Sequence, residues 1–183
     1  MRAIAIDLGG SHATVGIVED RKLLASREIA QDAAHGLAPA LPRFVAAATA
    51  LLSELGMSAA ACDGLAMSFC GLVDYRTGRV VSTDEKYDDA VGLDLVGWCR
   101  EAFGLRFAIE NDARMALLGE VWAGAAQGCG DVVMMTMGTG LGGAAMMEGR
   151  LVRGKHLQGG CLGGHLPVLF TGRKCTCGAI GCT

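Results

Sequence analysis

Hydrophobic and polar positions along the 183-residue chain change period several times, and each change marks an element. RAIAID, at residues 2–7, alternates into a short apolar strand that stops at Asp7. LGGSH then reads as a turn, and ATVGIVED with RKLLASREI as a hairpin whose tip lies near Glu19–Arg21. From Leu37 to Leu55 the apolar residues recur at helical spacing, with the helix proper beginning near Pro42 and ending before Gly56. GLAMSF is a short buried strand, and residues 70–90 are a polar loop with a short ribbon near Arg79–Val81. DLVGWCREAFG is an amphipathic helix stopped at Gly104, LRFAIE a strand, ARMALLGEVWAGA a helix and DVVMMTM a strand. GAAMME and LVRG form a second hairpin around Glu148, Gly149 and Arg150. Strands alternating with helices predict an α/β sheet. The order strand, glycine turn, strand occurs twice, at residues 2–18 and 131–153, which suggests two similar lobes.

Composition narrows the function classes. Half the chain is apolar (51%), enough for a real core, while 28 glycines against 3 prolines imply many tight turns. The net charge of −3 and the lack of a basic run argue against nucleic-acid binding. No stretch is long and apolar enough for a membrane span, and the first residues lack the features of a signal peptide, so a cytoplasmic location is expected. Among 8 cysteines, Cys62, Cys70, Cys99 and Cys129 sit among apolar neighbours and read as buried thiols, and Cys161 beside a glycine turn reads as structural. Cys175, Cys177 and Cys182 cluster instead, which in a reducing compartment points to metal.

Gly138, Gly140 and Gly143 match G-x-G-x-x-G. A dinucleotide fold needs a helix after the glycines and an acidic residue about 20 positions further on, and the sequence offers neither. Two readings remain: ordinary hairpin turns, or a clamp in which successive backbone N–H groups of DLGGS and of Gly138-Thr139-Gly140 hold phosphates from two lobes. In the clamp, Asp7 faces the cation that accompanies the phosphates, directly or through water. Asn111 and Asp112 close a strand, so Asp112 reads equally as a helix cap or as a base in a cleft. His165, Cys175, Cys177 and Cys182, spaced H-x9-C-x-C-x4-C, fill a tetrahedral zinc shell with no open position, the alternative being free or oxidised thiols.

Seven stretches in order, IDLGGSHATVGIV, CGLVD, IENDARMALLGE, MTMGTGLGGA, GRLVRG, GGH and CTCGAIGC, resemble the ROK group of repressors, open reading frames and kinases. The resemblance spans essentially the whole chain and implies the ribonuclease H-like fold of actin-like ATPases. It implies a complete first lobe (residues 1–112) and a second lobe only begun (residues 113–183). It further implies an ATP-dependent kinase that transfers the γ-phosphoryl group to a hexose or N-acetylated amino-hexose such as glucose, mannose, fructose or N-acetylmannosamine. The alternative is a non-catalytic, sugar-binding or regulatory relative.

The resemblance assigns Asp112 as the base, and Asn111, His165 and Gly71 to the sugar. It assigns Asp7, Gly9, Gly10, Ser11, Gly138, Thr139 and Gly140 to the nucleotide. ATP and Mg2+, with a structural Zn2+ on His165, Cys175, Cys177 and Cys182, are the implied cofactors. Two departures stand out. Leu162 occupies the position where family kinases carry a sugar-binding Glu, and the chain stops soon after the zinc cysteines. An open second lobe would expose sheet edge and leave a homodimer open as an assembly.

Overall fold

The computed structural model describes residues 1–83, 85–138, 141–161, 164–175 and 177–182. Two compact units divide it, Met1–Asp112 and Ala113–Thr183.

The first unit is built on a five-stranded sheet of β1 (Arg2–Leu8), β2 (His12–Glu19), β3 (Lys22–Ala30), β4 (Gly64–Phe69) and a later strand, Phe107–Asn111. Between β4 and that strand stand a two-stranded ribbon, β5 (Leu72–Asp74) with β6 (Arg79–Ser82), and helix α2 (Leu95–Phe103), which makes Phe107–Asn111 the seventh strand, β7. The order across the sheet is β3-β2-β1-β4-β7. The β1–β2–β3 meander is antiparallel, whereas β1, β4 and β7 run parallel.

Sequence explains the meander tip. Asp20 and Arg21 both take left-handed φ (44° and 71°), as a two-residue hairpin turn twisted like its strands requires. Alternation sets the face: Ile4, Ile6 and Leu8 of β1 are buried beside Ala13, Val15 and Ile17 of β2 and Leu65, Met67 and Phe69 of β4. Helix α1 (Leu41–Glu54) presents Phe44, Ala47, Ala48, Leu51 and Leu52, spaced three and four apart, to the same core. Pro42 stands in its first turn, where a missing N–H costs nothing. Asp94 caps α2 by accepting from the Gly97 N–H at 3.0 Å, and Gly104 ends it with φ 70°.

The second unit opens with α3 (Asp112–Ala123), whose first residue closes the first unit, and continues with β8 (Val132–Met137), β9 (Leu141–Met147) and β10 (Arg150–Leu151). The antiparallel order β10-β9-β8 mirrors β3-β2-β1, and its tip again carries left-handed residues, Glu148 (50°) and Gly149 (73°). Ala113, Leu117, Ala144 and Met146 form its small core.

Candidate active site

Three parallel strands end together. The register pairs Asp7 with Ser68 and Ser68 with Glu110, so one row of polar residues crosses the carboxyl ends of β1, β4 and β7. Ser68 and Glu110 are buried and Asp7 is exposed. In open parallel sheets, ligands bind outside these carboxyl ends, because the loops that follow diverge there. The residues that follow each strand are the predicted ones: Gly9, Gly10 and Ser11 after β1, Gly71 after β4, Asn111 ending β7 and Asp112 opening α3.

Each is held. The Gly9 N–H donates to the His12 carbonyl at 2.9 Å, closing the turn. The Gly10 and Ser11 carbonyls accept from the N–H groups of Ala33 (3.0 Å) and Gln31 (2.9 Å). The N–H groups of Gly10 and Ser11 meet no acceptor among the described residues. The Tyr87 hydroxyl donates to the Gly9 carbonyl at 2.6 Å, and Tyr87 itself is fully buried. Asn111 Nδ2 donates to the Gly71 carbonyl at 3.2 Å and to Asp112 Oδ1 at 2.8 Å. The Asn111 N–H donates to the Glu110 carboxylate at 3.0 Å. A side chain on Gly71 would lie 2.7 Å from the Ser82 carbonyl and 2.8 Å from the Phe69 ring, so the close approach of the β5–β6 ribbon needs glycine.

Charge gathers at the same spot. Burial pushes the Cys70 thiol up to about 11; Asp112 and Asp7 push the same way and Lys86 opposes them. Burial, then Cys70 and Asp32, push the Tyr87 phenol up to about 12. A groove of about 350 Å³ lined by Gln31, Asp32, His35 and Arg43 contains none of the predicted residues.

In the second unit, His165, Cys175, Cys177 and Cys182 offer ligand atoms within 4.8 Å of one another. His165 Nδ1 lies 3.4 Å from Cys175 Sγ, and Cys177 Sγ 3.7 Å from Cys182 Sγ. A zinc tetrahedron with ordinary Zn–N and Zn–S bonds has edges of about 3.5–3.8 Å, so the donor set fits that ion. The Cys177 N–H and His165 draw the Cys175 thiol down to about 6, while desolvation and the neighbouring thiols push Cys182 up to about 12. The loop closes because Gly178 and Gly181 take φ 90° and 74°. At Gly181 a side-chain carbon would overlap the Leu169 carbonyl, so no other residue fits.

A family model described as the ROK family matches residues 3–183. The chain belongs to the ROK family. It is 31% identical to a glucokinase of Thermotoga maritima over 185 residues, 100% of this chain and 56% of that protein. A beta-glucoside kinase of Listeria monocytogenes is 32% identical over 168 residues, 89% of this chain and 52% of the relative. Among solved structures, a ROK family glucokinase from Streptomyces griseus in complex with glucose and AMPPNP superposes with a TM-score of 0.82 at 30% identity, covering 100% of this chain and 55% of that one. This ROK chain therefore spans about half the length of the relatives it matches. Its α/β fold is that of the ROK kinases, the actin-like ATPase fold.

In agreement with the sequence reading, β8 is followed by the antiparallel strand β9 and not by a helix, which leaves no place for a dinucleotide fold. Thr139, Gly140 and Leu162 lie outside the described residues. Gly138 follows β8 directly. Cys129 is corrected: it is exposed, because it lies in the turn after α3 and not in a strand or helix face, whereas Cys62 and Cys99 are buried and Cys70 is half-buried. Cys161 is exposed too, and its sulfur accepts from the buried Arg114 guanidinium at 3.5 Å. Glu110, Ser68, Tyr87 and Lys86 were missed. Glu110 stood next to Asn111 in the sequence, but nothing there signalled that its carboxylate would be buried against that residue's N–H. Among the described residues no helix is long and apolar enough to cross a membrane.

Proposed function

We propose that this ROK chain carries machinery of an ATP-dependent sugar kinase, moving the γ-phosphoryl group to a hydroxyl of a hexose or N-acetylated amino-hexose. The observation that carries the reading is the convergence of Asp7, the Gly9–Ser11 turn, Gly71, Asn111 and Asp112 at the carboxyl ends of β1, β4 and β7. Relatives named as kinases support it over a non-catalytic sugar-binding role.

In this reading Asp112 takes the proton of the acceptor hydroxyl. The sugar oxygen then attacks the γ-phosphorus, and the bond to the β–γ bridging oxygen breaks with its electron pair leaving on ADP. Asn111, fixed between the Gly71 carbonyl and Asp112, orients the sugar and holds the base in line. Gly71 and His165 also face the sugar. The N–H groups of Gly10 and Ser11 hold phosphate oxygens, with Gly138, Thr139 and Gly140 supplying the second loop. Asp7 receives Mg2+, whose charge offsets that of the phosphates. His165, Cys175, Cys177 and Cys182 hold a structural Zn2+ that fixes the loop bearing His165. The first unit thus carries the first phosphate loop and the base, and the second unit carries the second loop and the zinc motif. A cytoplasmic location agrees with the ATP pool that such a reaction uses.

Sugar-dependent ADP formation, measured with Mg2+ across a hexose panel, tests the reading. Asp112→Asn is expected to lower turnover by about 10²–10⁴-fold, the usual contribution of a positioned base, while bound zinc is retained. Full activity in that variant would remove Asp112 from the reaction.

A further inference from the structure

Lys86 is not accounted for by the machinery above. It lies in the loop between β6 and α2, half-buried, and forms no hydrogen bond or ion pair with any described residue. Its position is specific. A side-chain carbon built on Gly10 would stand 3.6 Å from Lys86 Cε and 3.7 Å from Lys86 Nζ, so the ammonium lies directly against the Gly9–Ser11 turn.

The residue that follows Lys86 is tied to that turn. Tyr87 donates its hydroxyl to the Gly9 carbonyl (2.6 Å) and its N–H to the Ala33 carbonyl (3.0 Å), and the Ala33 N–H donates to the Gly10 carbonyl (3.0 Å). Tyr87 holds a left-handed φ of 56° and Glu85 one of 58°, conformations that bulky and charged side chains rarely adopt. The fold bends this loop against its own preference and so presents Lys86 beside two backbone N–H groups that have no acceptor among the described residues.

We infer that Lys86 is a further catalytic residue, contacting the transferring phosphoryl group at the Gly9–Ser11 turn. This rests on the kinase reading for the identity of the group, but the predicted ligand is a polyphosphate oxygen whatever the acceptor. Two N–H donors and one ammonium converge on the same anion. The lysine acts as a point charge that offsets the negative charge on the γ-oxygens as the bridging bond breaks. Asp112 and Asp7 lie close enough to share its field at Cys70.

The test uses the whole 183-residue chain and magnesium tripolyphosphate, a probe that needs neither adenine nor sugar. Binding is measured by calorimetry for the natural chain, Lys86→Met, Lys86→Arg and Asp112→Asn. Lys86→Met is expected to bind about tenfold or more weakly, the effect of losing one charge-assisted contact. Lys86→Arg is expected to recover part of that loss, and all variants to melt together, since Lys86 pairs with none of the described residues. Asp112→Asn is expected to keep the binding. Where turnover is measurable, Lys86→Met lowers kcat and leaves the sugar KM unchanged. Equal binding by Lys86→Met, no binding by the natural chain, or Lys86→Arg as weak as Lys86→Met would overturn the inference. Lys86-dependent binding without turnover of any hexose would instead sink the kinase reading and leave the phosphate contact standing.

Discussion

Cys70 shows how much one residue's surroundings decide. In the sequence it is one of several thiols among apolar neighbours. In the fold it lies beside Asp112, Asp7 and Lys86, and burial with the two carboxylates holds its thiol up near 11. Cys99 is pushed up to about 11 by burial alone. The thiolate is the reactive form, so both stay protonated and slow to alkylate at pH 8. Labelling with iodoacetamide at that pH, followed by peptide mass spectrometry, is therefore expected to modify the exposed Cys129 well before Cys70 or Cys99. The rates at the latter two should climb as pH rises towards 11. Early labelling of Cys70 at pH 8 would show that the strand ends are more open to solvent than the structure has them. Asn111 makes the same point through geometry: its neighbour Asp112 was visible in the sequence, but its partner, the Gly71 carbonyl, lies 40 residues away.

Elements were more legible than residues. Alternation placed β1, a hairpin pattern β2 and β3, a short apolar run β4, helical spacing and Pro42 placed α1, and Gly104 marked the end of α2. The 70–90 loop was read as polar with a short ribbon. It contains the β5–β6 pair, in line with that ribbon, and the left-handed Glu85 and Tyr87 on either side of Lys86, which local pattern could not reveal because Tyr87 is held by hydrogen bonds to Gly9 and Ala33. The cysteine loop is different, since its ligand types and spacing announce the chemistry directly. Its scaffold is slight: isolated bridges pair Pro167 with Cys182 and Lys174 with Ile180, and Leu166, Val168, Leu169 and Phe170 are exposed. An ion bound by the four ligands would add order there. Metal analysis is expected to find zinc at a single equivalent, lost in Cys177→Ser. Chelation should open residues 165–182 to protease while residues 1–112, with their own large core, resist. Equal protection with and without chelator would mean that the loop holds itself.

Across the whole molecule, the two units differ sharply in how well they bury themselves. The first encloses an extensive core, whereas the second leaves Val133, Met135 and Met137 of β8 exposed at 66%, 57% and 85%. β8 is also an edge strand. An exposed apolar row on a sheet edge invites a second chain. Sedimentation is expected to show concentration-dependent association, reduced in Met135→Lys, whose charge on that face opposes stacking. A monomer at every concentration would show that the row is tolerated in water. The repeated strand–turn–strand order, read from the sequence, appears in both units with the same antiparallel sequence of neighbours.

What the sequence determined by itself was what local chemistry specifies: the period of most elements, the turns that demand glycine, the clustering of His165 with Cys175, Cys177 and Cys182, and the Asn111–Asp112 pair at a strand end. Tertiary structure alone decided the order of strands in the sheet, and with it which ends come together. Parallel pairing of β1, β4 and β7 brings Asp7, Ser68 and Glu110 into one row although about 60 and then 40 residues separate them in the chain. It also decided that Lys86 lies on the Gly10 turn, because that contact depends on a buried tyrosine finding a carbonyl 78 residues away. Local pattern encodes how a segment folds; only the packing of segments with one another fixes which charges and donors share a site.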